Sequence, residues 1–215
     1  MKTYLELVNT VLVAMREAPV SDVTQSNYTR LVGELVNDAK EQVEDAHSWA
    51  AQLQTFNIGI IAYEGKYSLT GYGQRGIIDS VVSLKNNNYL KLTTRRKIQE
   101  QAIQNPVYGD ISEYANVGVD PVGNSIIQVA PMPSDNSMMT ITGWFAQSAL
   151  KDNADILRIP HRCVTSLAIA LAVRERGEVT GQVAAEYFEI AKRSLSDAIA
   201  YDAARNEDED EWYTI

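Results

Sequence analysis

Apolar residues recur at Tyr28, Leu31, Val32, Leu35, Val36, Ala39, Val43, Ala46, Trp49, Ala50 and Leu53. Their steps of three and four predict one amphipathic helix over residues 28–53. Arg30, Glu34, Asp38, Glu41, Glu44 and Asp45 fill the opposite, solvated face. Burying each large apolar side chain is worth roughly 1.5–3 kcal/mol, so this stripe needs a partner surface. Three other segments offer one. Thr3 and Glu6 form a capping-box signature, and Leu5, Val8, Leu12 and Met15 line a first helix that Glu17-Ala18-Pro19 ends. Ser26 or Asn27 caps the long helix. Pro160 sits in the first turn of a helix from His161 to about Arg176, with Val164, Leu167, Ala168, Leu171 and Ala172 on one side and Gly177 at its end. Thr180 caps a last helix whose stripe is Val183, Ala184, Tyr187, Ile190, Ala191, Leu195, Ala198 and Ile199.

Between these helices the period changes from 3.6 to two. Phe56, Ile58 and Ile60 alternate with Asn57 and Gly59, predicting a strand that runs on to Tyr63. Tyr67 and Leu69 suggest a short partner after the Glu64-Gly65 turn, and residues 77–84 read as another strand. The loop Gly71-Tyr72-Gly73-Gln74-Arg75-Gly76 is rich in glycine, but a strand follows it, so a phosphate-binding loop is disfavoured. Asn86, Asn87 and Asn88 form a turn before Tyr89, Leu90 and Leu92. Thr93 or Thr94 caps a short helix to about Gln104, stopped by Asn105-Pro106. Strands over 111–119, 125–129 and 138–145 follow, with turns at Gly123-Asn124 and Pro131 to Asp135.

The fold expected is α+β: a four-helix bundle formed by the N- and C-terminal helices, with a β-rich inserted domain. Residues 1–54 and 151–205 make the two halves of the bundle, 55–150 the insertion, and 206–215 an acidic tail with an aromatic end.

Composition narrows the function classes. A chain of 215 residues with 45% hydrophobic and 22% charged residues is an ordinary globular protein. The longest apolar run, 164–173, is too short for a membrane span, and no signal segment is expected. A net charge of −9 argues against gripping nucleic acid or an anionic membrane, although it suits a surface past which DNA slides.

Catalytic chemistry finds little support. His47 and His161 lie in different segments and Cys163 is the single cysteine, so no metal-ligand spacing exists and no cofactor is expected. His47 reads as a packing or capping residue, His161 as a surface residue and Cys163 as a small core residue. Arg95, Arg96 and Lys97, with Lys91 nearby, form the one basic cluster, read as a solvated or protein-contact face. Asp110, Glu113 and Asp120, with Trp144 and several tyrosines, could serve a sugar cleft. A polysaccharide- or cell-wall-degrading hydrolase is therefore the alternative.

The tail carries its own signal. Glu207, Asp208, Glu209, Asp210 and Glu211 should be disordered alone, yet Trp212, Tyr213 and Ile215 follow them. A solvated acidic leash leading to aromatic anchors fits a segment that orders on docking.

Several stretches together resemble the head-to-tail adaptors of tailed phages, also called head-completion, gatekeeper or tail tubular A-type proteins. They are Leu5-x-x-Val8-Asn9, Glu17-Ala18-Pro19-Val20-Ser21, the long helix toward Trp49, and Ile78-Asp79-Ser80-Val81. Leu157-Arg158-Ile159-Pro160-His161, leading into a helix that ends Glu175-Arg176-Gly177-Glu178, completes the set. The likeness spans nearly the whole chain. One departure is Arg16, where short-tailed relatives often place glycine.

The resemblance implies a non-enzymatic virion protein, made in the host bacterial cytoplasm and placed at the head-tail junction. It implies a ring, typically dodecameric, that binds the portal protein and extends the channel through which DNA passes without specific binding. It also implies a platform for the tail or nozzle protein. By the same likeness, the segment containing Glu207 to Glu211, Trp212, Tyr213 and Ile215 would reach the portal. Loops near Tyr72, Asn86, Asn87 and Asn88 would face the tail or its fibres.

Overall fold

The computed structural model describes residues 1–71, 73, 75–104, 107–177 and 182–205. The chain divides into two units, Met1–Ala51 with Gln147–Ile215 and Gln52–Ala146. Among the described residues the named strands and one short helix lie in the second unit and the other α-helices in the first, which makes the protein α+β. Among the described residues the α-helices are α1 Tyr4–Ala14, α2 Asn27–Asp45, α3 Arg95–Gln104, α4 His161–Arg176 and α5 Gln182–Arg205.

In the first unit, α1 starts on the expected box. Glu6 N–H donates to Thr3 Oγ1 at 3.3 Å, and Thr3 N–H donates to Glu6 Oε2 at 2.9 Å. Ser26 rather than Asn27 caps α2, with Thr29 completing the reciprocal pair. α1, α2 and α4 contact one another around a core that includes Leu7, Val11, Val32, Val36, Val164 and Ala168. Gly33 costs helix propensity of about 1 kcal/mol, but a Cβ there would meet the Tyr4 hydroxyl at 2.3 Å. Its absence lets α1 approach α2. α5 lies along α4; of its described side chains only Ala191 is buried, while Tyr187, Phe188, Leu195, Ala198 and Ile199 are partly covered. Thr180 and the Val183 side chain lie outside the described residues.

Two expectations for the long helix need correction. It ends at Asp45, not Leu53. The Trp49 indole N–H donates to the Val43 carbonyl at 2.8 Å, satisfying one of the last free carbonyls of the helix and fixing the turn that follows. Trp49 is fully buried, so the spacing of apolar residues continues through a turn. Ala46 is exposed and Leu53 is a half-exposed strand residue. Nor is Glu44 solvated: it is buried with Lys40, whose Nζ lies 3.1 Å away. Both grip Gln147, Lys40 donating to its carbonyl and Glu44 accepting from its N–H at 3.1 Å. Asn37 holds Leu150 by a second two-way clasp. The chain's return to the helical unit is thereby pinned.

The second unit contains β1 Leu53–Ile60, β2 Lys66–Ser68, β3 Ile77–Ser83, β4 Asn88–Tyr89 and β5 Lys91–Leu92, then β6 Tyr108–Gly109, β7 Glu113–Val119, β8 Ser125–Ala130, β9 Met132–Pro133 and β10 Ser137–Trp144. One sheet runs β1-β10-β3-β4, another β2-β8-β7-β5, and β6 pairs with β9. The first strand starts at Leu53 and stops at Ile60, earlier than its pattern suggested, because β10 pairs Leu53 with Trp144 and Ile60 with Ser137. Ile60, Val81, Met139 and Ile141 of the first sheet share a core with Tyr67, Tyr114, Ile127 and Val129 around the second. α3 covers the other face of β7 and β8, where Ile98 packs with Ala115 and Ala130. The register of β10 shifts at Thr142/Gly143, and a Cβ at Gly143 would sit 2.4 Å from the Ile77 carbonyl oxygen. Asn105 and Pro106 lie outside the described residues.

Candidate functional site

Asn86 and Asn87 are exposed on the turn joining β3 to β4, Asn88 is exposed at the start of β4, and Asn87 takes φ 51°. Asparagine tolerates this left-handed backbone better than most residues. The turn belongs to a larger loop cluster in the β unit. Lys85 ties it together, with Nζ 2.7 Å from Asp110 and 2.9 Å from Asp135. The two carboxylates raise the Lys85 pKa, and the ammonium lowers both of theirs. Each exposed pair contributes little stability alone, but one lysine cross-links three loops. Ala62 N–H donates to Asn136 Oδ1 at 2.8 Å, and Tyr63 N–H to the Pro133 carbonyl at 2.9 Å.

This fastened cluster displays aromatic surface. Tyr63 and Tyr108 meet edge to face with centroids 5.7 Å apart, yet they remain 69% and 53% exposed, beside exposed Ile61. Tyr63 has φ 63°, an uncommon conformation for a bulky residue. A strained backbone presenting an exposed ring pair has the makings of a contact site, since aromatics carry much of the energy at protein interfaces. The sequence marks the asparagines as a turn but sets neither tyrosine apart. Their one signal is an aromatic adjoining a glycine turn, Tyr63-Glu64-Gly65 and Tyr108-Gly109.

The other candidate residues separate. Asp110 is engaged by Lys85, and Glu113 by Lys97 at 2.6 Å. Asp120 accepts from Ser68, Val122 and Asn124, bonds that organise the turn and push its pKa far below the ordinary carboxylate value. The carboxylates considered for a sugar cleft are thus occupied in surface and turn contacts. His47 packs edge to face on Trp49 at 5.0 Å, with Nε2 3.3 Å from Asp202. His161 is exposed, and Cys163 is buried with its thiol pKa raised by that burial. Tyr72 and the tail residues Glu207, Asp208, Glu209, Asp210, Glu211, Trp212, Tyr213 and Ile215 lie outside the described residues. Among the described residues no group of three His, Cys, Asp or Glu side chains gathers to hold a metal ion, and no helix is long and apolar enough to cross a membrane.

A scan of protein-family models matches none to this chain, and a search of curated proteins returns no significant match.

Proposed function

We propose that the chain is a structural adaptor of a tailed-phage head-to-tail junction. Identical copies form a ring on the portal protein, extend the DNA channel, and offer the tail or nozzle and its fibres a docking face. The observation that carries this reading is the division of the chain: a helical unit built from both ends of the sequence, with the β unit carried on one excursion from it. One unit is then available for assembly with like copies and the other for a different partner.

The α5 stripe supports the assembly half of the proposal. Tyr187, Phe188, Leu195, Ala198 and Ile199 are only partly covered, and Ile190 and Tyr201 stand exposed on the same helix. A neighbouring copy laid against this helix would bury apolar surface that a lone chain leaves wet. We assign α1, α2, α4 and α5 to a four-helix bundle tightened by that contact. The loop cluster with Tyr63 and Tyr108 supports the docking half. The charge of −9 supports passage of DNA without capture. With Asp110 and Glu113 engaged by lysines, no observation favours the hydrolase reading.

Negative-stain imaging of the purified chain mixed with a tailed-phage portal protein tests the proposal. Rings stacked on the portal are expected. Dispersed chains with no portal complex would overturn it.

A further inference from the structure

A cavity of about 290 Å³ lies in the β unit between α3 and the outer face of the β8–β7 sheet. That is close to the lower bound of ligand sites, roughly 300 Å³. Its lining is mostly apolar, with Ile98 and Ala102 from α3, Val129 from β8, and Val107, Pro131 and Met132 at the rim. One polar atom stands out. Gln128, a lining residue only 5% exposed, has a buried Oε1 with no hydrogen-bond partner. An unmade bond to a buried acceptor costs about 1–3 kcal/mol, so the cavity suits an apolar group that brings a single N–H donor. Indole has that description: a large apolar ring with one donor and no acceptor.

Charge around the cavity narrows the carrier. α3 bears Arg95, Arg96 and Lys97 against one acid, Glu100, and Lys91 precedes it, in a chain of net charge −9. Arg95 lies one turn before Ile98 on α3 and, with Arg96, borders an open groove on that helix. Glu100 pairs with Arg96, and Glu113, which lines the cavity, pairs with Lys97, so the excess positive charge here is that of Arg95 and Lys91. This basic helix therefore favours an acidic peptide with an indole. The sequence holds one such segment: five consecutive acids, Glu207 to Glu211, run directly into Trp212.

We propose that segment 207–215 of one copy docks on the β unit of a second copy, its acids along α3 and the Trp212 indole N–H on Gln128 Oε1. The choice of a second copy as the source rests on the ring reading. The family likeness sends the same segment to the portal; the basic flank and the orphan acceptor favour the β unit, and portal capture becomes the competing outcome.

The test uses a labelled peptide of residues 207–215 titrated into the full chain, with fluorescence anisotropy as readout. Saturable binding is expected, and it should weaken as salt is raised. Trp212→Phe in the peptide keeps a ring and removes the donor, and should weaken binding about tenfold. Gln128→Leu in the protein should weaken it by a similar factor while raising the thermal midpoint, because it removes an unsatisfied acceptor. In sedimentation, excess peptide should dissociate self-associated full chain. Absent binding, binding indifferent to both substitutions, or a full chain that stays monomeric and refuses the peptide overturns the proposal. So does a peptide taken up by portal protein and not by this chain. Rings on the portal without peptide binding would remove this inference alone; peptide binding without rings would remove the ring reading alone.

Discussion

The helical unit and the β unit handle exposed surface in different ways. In the helical unit, α1, α2 and α4 bury their stripes, and even the charged Lys40 and Glu44 are enclosed and matched at Gln147. On α5 it leaves a partly covered apolar stripe, with Ile190 and Tyr201 exposed on the same helix. The β unit closes an inner core between two sheets, then leaves separate features outside it: a tyrosine pair on cross-linked loops, and a cavity with one unused acceptor. A long stripe suits packing against another helix, whereas discrete aromatic and pocket features suit recognition of a particular segment. The contrast supports different jobs for the two units, assembly for one and docking for the other.

Substitutions probe this contrast at decreasing strength. The largest effect is expected from Trp49→Ala, which empties a fully buried site and frees the Val43 carbonyl. It should destabilise the helical unit by about 3–5 kcal/mol, read by hydrogen exchange in α1, α2 and α4. Protection left unchanged there would show that Trp49 does not anchor the exit of α2. In the β unit, Gly143→Ala should cost about 1–3 kcal/mol, because its Cβ would meet backbone rather than a movable side chain. Lost protection should appear first in β3 and β10.

Arg16 offers a smaller effect of opposite sign. It holds φ 61° in the exit of α1, a backbone conformation that glycine adopts without strain. Arg16→Gly should stabilise the helical unit by up to about 1 kcal/mol, seen as a higher urea midpoint. Loss of stability would mean that Arg16 makes contacts worth more than its strain.

The smallest effect is a pH dependence. Side-chain bonds from Ser68 and Asn124, then backbone bonds from Asn124 and Val122, hold Asp120 ionised and lower its folded pKa. Its stabilising contribution is therefore complete above the unfolded carboxylate pKa and is lost as pH falls through the lower folded value. Asp120→Asn should flatten part of the acid limb of β-unit stability. An unaltered acid limb would assign that limb to other carboxylates.

Local chemistry made the helices legible. Thr3 with Glu6, Ser26 and Gly177 mark element ends through hydrogen bonds made within a few residues, and Pro160 marks the start of α4 by its fixed φ and missing N–H. The end of α2 was hidden because buried Trp49 keeps the helical spacing while its indole terminates the helix. Glu44 read as solvated because its partner at Gln147 lies far along the chain. The asparagine turn was visible as a turn, but the Lys85 link to Asp110 and Asp135 depends on distant loops meeting. Nothing in the sequence around Gln128 sets it apart from other polar strand residues. Only the packing of α3 over β7 and β8 encloses it and leaves its acceptor unused.

The ring reading is tested most directly by native mass measurement of a portal protein saturated with this chain. One complex carrying many copies per portal, in a fixed ratio, is the expected result. A portal mass unchanged by excess chain, with the chain itself remaining monomeric, would contradict it.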